Sequence, residues 1–470
     1  MIAAHPALSS HPEQQYLDLL RTLLTSTDRP DRTGTGVRGI FDYRMEFDLA
    51  HGFPLLTTKK QFFRGMVTEI LWFISGSTDV RVLQEQRVNF WDSWQGDDGT
   101  IGYGYGKQMR NQEFWTALTP KVYEPEPWDD VVEVRSVYGV GYYGCDDKKD
   151  PFYQILVDTW RQMLRRCYDS TSLSFNAGYG ANGVHVDNRW HCFANFQSDA
   201  RKLPNWPLKA EFPSQYSIDK DTLWASNRYA PHTVMWACDQ TQNANRCNTA
   251  FFTAVDPAGN TKWMTSIGST KRDYDLNVSA VHRCLNGKLR THHGWSDFQY
   301  IECPPGQVLR YMRVDQLLNL FCGLKHEPFG RRHIMTLWNP GDLGRTTLPP
   351  CHGSLVQFYV ENDGRLSLKM NQRSADAFLG LPVNIASYAL LLTMFASALD
   401  RQPGRFIWDG GDVHLYSNHV EQAQEQVSRV PRPFPQLAVA KRLDLDSWSI
   451  GDFTVTGYEP HPHIAGDVAR

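Results

Sequence analysis

The five residues Leu348-Pro349-Pro350-Cys351-His352 decide how the rest of this chain is read. Two prolines fix φ and remove two N–H donors, so Cys351 is held at a defined point. A cysteine is a nucleophile only as thiolate, which needs positive charge or hydrogen-bond donors nearby. His352 is adjacent, Arg373 follows, and the pair Arg331-Arg332 precedes. The plainer reading is a buried structural cysteine behind a turn. The flanking sequence has to decide between them.

Working outward, Val314–Pro328 reads as a helix and leads into Phe329-Gly330-Arg331-Arg332. Beyond Cys351 comes Asn371-Gln372-Arg373-Ser374, and Leu379–Leu392 opens a buried apolar helix. The most apolar run, Val383 to Leu399, contains Asn384, Ser387, Tyr388 and Thr393, which suits a core helix better than a membrane span. Trp408–His419 reads as a second Gly-rich turn, carrying His414 and Tyr416.

Towards the N-terminus, residues 13–27 have helical apolar spacing, and Val37–Phe47 reads as strand. Between them DRTGTG (Asp31–Gly36) is a tight loop from which Arg32 projects, a weak phosphate-cradle signal by itself. Residues 63–75 form an amphipathic helix ended by Gly76. Glu69 lies on it among Ile70, Leu71, Trp72 and Phe73, and a carboxylate there must have a partner or a task. Trp91 and Trp94 in FWDSW are either core or a stacking wall for a flat heterocycle. Gly102–Gln108 is turn-rich and positions Tyr105.

Length suggests two or three domains in these 470 residues, and 41% hydrophobic content supplies a real core. A formal net charge of -3 excludes bulk attraction to nucleic acid. The nine cysteines are scattered without a CxxC pair, which suits a reducing cytoplasm and gives neither a disulfide framework nor a zinc site. The N-terminus shows no secretory signal.

Taken together, DRTGTG, FPLLTTKK, EILWFISG, FWDSW, YGKQ, RRHI, PPCH, QRSAD, FLGLPVNIASYALL and GGDVHLYSNH occur in the order of the thymidylate synthase family, which the chain resembles over roughly 13–113 and 312–470. The resemblance implies an α/β (α+β) fold around a large mixed sheet, paired as a homodimer. It also implies transfer of a one-carbon unit from 5,10-methylenetetrahydrofolate to C5 of deoxyuridylate (dUMP), with no metal. Cys351 then resembles the nucleophile that adds to C6. Glu69 and Tyr105 resemble its proton-transfer partners. Arg32, Arg373 and Ser374 resemble phosphate ligands, and Arg331 and Arg332 resemble the pair that reaches the other subunit's phosphate. Asn384 matches the amide that reads O4 and N3 of uracil, and His414 and Tyr416 match the ribose ligands. Trp91, Trp94, Asp376 and Gly380 match the folate wall. Two departures stand out: the chain ends IAGDVAR, placing Arg470 where a short apolar residue is usual, and Val383 replaces a commoner Phe.

Between YGKQ and the arginine pair lie some two hundred residues where the family has a few tens. The organisation expected is a discontinuous catalytic domain over 1–114 and 311–470, with an insert over 115–250 and a small helical module over 251–310. Acidic EPEPWDD (Glu124–Asp130) reads as the connector into it. The insert resembles HNH/AP2-like endonuclease domains of phage mobile elements, and the module resembles their DNA-binding appendages. That makes DNA a candidate partner, with His185, Asp219, Asp221 and Asn227 as the residues a nuclease would draw on. Besides methylation two outcomes are carried: hydroxymethylation, in which water captures the one-carbon unit, and a DNA-binding or nicking protein.

Overall fold

The structure is a computed structural model that describes residues 11–31, 34–124, 135–223, 225–245, 251–301 and 307–468. Arg32, Arg470 and most of the EPEPWDD connector lie outside the described residues. The chain divides into two compact units, one of residues 1–112 and 315–470, the other of 113–314.

The first unit is built on a six-stranded mixed sheet. Its strands are β1 (Asp28–Arg29), β2 (Val37–Asp48), β3 (Ile334–Met335), β4 (Leu355–Val360), β5 (Leu366–Asp376) and β6 (Pro403–Tyr416), in the order β1-β2-β6-β5-β4-β3. Only β5 and β6 are parallel. The crossover they require is supplied by a helix of nineteen residues, Gly380–Ala398. That helix is apolar on every side, and 83% of its most apolar window is buried against the protein. Such a helix belongs in a core. Two further helices, Gln14–Thr25 and Phe63–Ile74, lie at the positions their apolar spacing predicts. The buried Glu13 carboxylate accepts four hydrogen bonds, from the N–H and hydroxyl groups of Thr57 and Thr58, and so fixes the loop after β2.

One sequence expectation needs correcting here. Gly410 and Gly411 form no turn, because both lie inside β6. A Cβ at Gly410 would stand 2.2 Å from the Trp408 indole, so the glycine is there for a close approach within a strand.

In the second unit the helix Tyr153–Tyr168 packs on a core that includes Trp160, Trp190, Phe193, Phe196 and Trp236. Residues 251–310 were expected to be a small helical module. They are instead centred on an antiparallel sheet of Phe252–Val255, Thr261–Met264 and Ser296–Tyr300, accompanied by two short helices. Phe252 and Ala254 are fully buried, and Gly259 at φ +85° closes the first hairpin. The strand Gln112–Leu118 pairs with Val308–Val314 in a two-stranded sheet.

Candidate active site

Cys351 sits in a turn joined to β5 by the Arg373 N–H, which donates to the Cys351 carbonyl at 2.9 Å. The Arg373 guanidinium donates to the carbonyls of Pro349 (2.9 Å) and Pro350 (2.8 Å) and comes within 3.8 Å of the Cys351 sulfur. It also lies over the Trp338 ring, 4.9 Å from its centre. The two prolines therefore do more than stiffen the loop, since their carbonyls aim the cation at the thiol. The Cys351 N–H donates to the Tyr105 hydroxyl at 2.9 Å. Burial pushes the Cys351 thiol up, while Arg373 and Tyr105 pull it back.

His352 does not act as a cation beside Cys351. It is buried, and burial lowers its pKa to about 3, so the imidazole is neutral. Its Nδ1 meets the Tyr388 hydroxyl at 2.9 Å. Gly353, at φ +67°, lets this turn close, because a Cβ there would lie 2.3 Å from the same hydroxyl.

Glu69 faces this group from the helix Phe63–Ile74. Its carboxylate accepts from the Trp91 indole at 2.7 Å, and burial nevertheless lifts its pKa to about 7. Trp91 meets Tyr105 edge-on at 5.1 Å and Trp94 at 5.8 Å, so the two tryptophans form one wall. Tyr105 stacks on Phe73 at 4.9 Å, and burial pushes its phenol far up.

Asn384 is buried in the second turn of the crossover helix, and its Oδ1 accepts from Gln372 at 3.0 Å. Ser374 and Asp376 follow on β5 and pair in register with Asp412 and His414 on β6. Asp376 accepts from the N–H groups of Phe378 and Leu379, which fixes the entry to Gly380. His414 Nδ1 lies 3.4 Å from the Asp412 carboxylate and edge-on to Tyr416 at 5.1 Å. Arg331 and Arg332 are exposed on the loop before β3. Sequence reasoning missed Trp338, Gln372, Tyr388 and Trp408. Their only signal was position, three of them within or beside motifs already noted.

In the second unit the nuclease candidates are engaged in local structure. Asp219 accepts from the N–H groups of Asp221 and Thr222, and Asp221 accepts from Lys220. Asn227 clamps both backbone groups of Tyr123, and buried His185 faces the Gly183 carbonyl at 3.2 Å. Among the described residues no group of three His, Cys, Asp or Glu is placed to hold a metal ion.

A family model described as thymidylate synthase matches residues 14–134 and 226–470. The match spans nearly all of the first unit, runs into both ends of the second, and leaves 135–225 outside.

Proposed function

Because the chain belongs to the thymidylate synthase family, we propose that it methylates deoxyuridylate at C5, with 5,10-methylenetetrahydrofolate as co-substrate, giving thymidylate and dihydrofolate. The observation that carries this reading is the convergence of Arg373 and Tyr105 on Cys351, with the Pro349 and Pro350 carbonyls holding the Arg373 guanidinium in place. The Trp91–Glu69 pair lines the same region.

The folate supplies the one-carbon unit and the reducing hydride. The chain's own residues do the rest. Cys351 sulfur bonds to C6 of the pyrimidine, and the C5–C6 electron pair moves toward O4, leaving C5 nucleophilic. The resting group is the thiol, so its proton passes to water as the sulfur attacks, while the Arg373 charge stabilises the developing thiolate. Tyr105 accepts the Cys351 N–H, which leaves its own hydroxyl hydrogen free to donate. Glu69, near 7, holds a proton about half the time at neutral pH and so serves as donor or acceptor for O4 and C5 through ordered water. Asn384 reads O4 and N3, His414 and Tyr416 hold the ribose, and Arg32, Arg373 and Ser374 hold the phosphate. Trp91, Trp94, Asp376 and Gly380 receive the folate.

In the same reading the chain works as a homodimer. Exposed Arg331 and Arg332 supply the partner's phosphate site, and the sheet face carrying exposed Tyr359 is covered by the second copy.

The test is product analysis from deoxyuridylate and methylenetetrahydrofolate. Thymidylate and dihydrofolate are expected in equal amounts, and Cys351→Ser is expected to lose more than about 1,000-fold in turnover while staying folded. Hydroxymethyldeoxyuridylate as the main product would show that water captures the one-carbon unit. Substantial Ser-variant turnover would remove Cys351 from its role.

A further inference from the structure

We infer that Gln372 and Trp408 are positioning residues for base selection, because together they fix which way the Asn384 amide points. This rests on the proposal that Asn384 reads the pyrimidine. A primary amide has a donor end and an acceptor end of nearly the same shape, so its orientation must come from its partners. An indole is a donor only. The Trp408 Nε1–H donates to Gln372 Oε1 at 3.0 Å, which assigns the oxygen of that amide. Its nitrogen then faces the other way and donates to Asn384 Oδ1 at 3.0 Å and to the Ser374 carbonyl at 3.1 Å. Both hydrogens of Gln372 Nε2 are thereby used.

The chain of assignments reaches Asn384 without ambiguity. Its Oδ1 faces Gln372, and its Nδ2 donates to no group among the described residues. Uracil presents an acceptor at O4 and cytosine a donor at N4, so an amide held with its nitrogen forward favours uracil. Reversing it would place Oδ1 forward and leave two nitrogens, those of Asn384 and Gln372, facing each other. All three side chains are buried, which makes that mismatch costly.

The backbone is built to allow this. Gln372 on β5 is paired with Gly410 on β6. With no Cβ at Gly410, the Trp408 ring can fold across it, since a Cβ there would stand 2.2 and 2.6 Å from ring atoms.

The experiment compares binding of deoxyuridylate and deoxycytidylate by titration calorimetry to wild type, Gln372→Glu, Trp408→Phe and Asn384→Asp. A glutamate at 372 still accepts from Trp408 but, when ionised, cannot donate to Asn384, so the Asn384 amide should turn. Trp408→Phe removes the indole donor and leaves the Ser374 carbonyl as the remaining group that orients the Gln372 amide, so its hold loosens without being lost. Both variants should shift the dCMP-to-dUMP affinity ratio toward dCMP, Gln372→Glu by about tenfold or more and Trp408→Phe by less. A loss of packing alone would weaken both nucleotides alike and leave the ratio unmoved. If Asn384→Asp moves the ratio and neither of the other variants does, the positioning role is wrong and the base-reading role stands. If Asn384→Asp leaves the ratio unchanged, the underlying reading fails first.

Discussion

Glu69 shows at the scale of one residue how burial moves a carboxyl's titration into the neutral range. Folding takes the carboxyl out of water, and a single indole N–H offsets only part of that loss, so its pKa rises to about 7. Between the ordinary carboxylate range and pH 7 the folded chain keeps a proton that the unfolded chain has released. The stability associated with Glu69 is therefore full below about pH 4.5 and is lost as pH rises to 7. Glu69→Gln keeps the acceptor for Trp91 and removes the titration. Its stability relative to wild type should increase by about 3 kcal/mol between pH 4.5 and 8, measured by urea denaturation at each pH. A gap that does not change with pH would mean that Glu69 is not the group titrating. At this scale Glu69 was legible because a charge among four apolar neighbours is conspicuous. Gln372 was not, because an amide's task depends on a tryptophan thirty-six positions away and no local pattern records that.

Among the elements, the helices and the strand β2 were easiest to read, because their apolar periodicity is local. The glycine pair at 410 and 411 misled for a physical reason. Glycine marks positions where a side chain cannot be tolerated, and a turn is only one of these. Gly353 is the opposite case, a glycine whose conformation is itself required. It holds φ +67° and leaves space for the Tyr388 hydroxyl that meets His352. Gly353→Ala should destabilise the first unit by about 1–3 kcal/mol and displace Tyr388 from His352. The same variant should change the rate at which iodoacetamide alkylates Cys351 in the folded protein. Unaltered stability together with unaltered alkylation would show that the turn tolerates a Cβ.

For the whole molecule, the order of motifs located the interruption, because motifs of one family were separated by sequence with a different character. The small sheet within 251–301 escaped notice because its strands are four or five residues long and lack a sustained alternation. Replacing residues 113–314 by a short Gly/Ser linker should leave a chain that unfolds cooperatively and binds deoxyuridylate with affinity within about threefold of the full protein. Calorimetry on the excised chain checks both. Aggregation or loss of nucleotide binding would mean that the second unit is required for the first to fold. The seam itself bears on synthesis. Arg110 and Asp315 meet at 2.8 Å across it, and the strands Gln112–Leu118 and Val308–Val314 run side by side. A ribosome releases the first half of the synthase core roughly two hundred residues before the second. An unstructured loop of that length would cost about 3 kcal/mol more to close than a short turn. If residues 113–314 fold while they wait, their paired ends deliver Arg110 and Asp315 to each other as a short turn would. The guest in the middle of the gene would then set the pace at which its host matures.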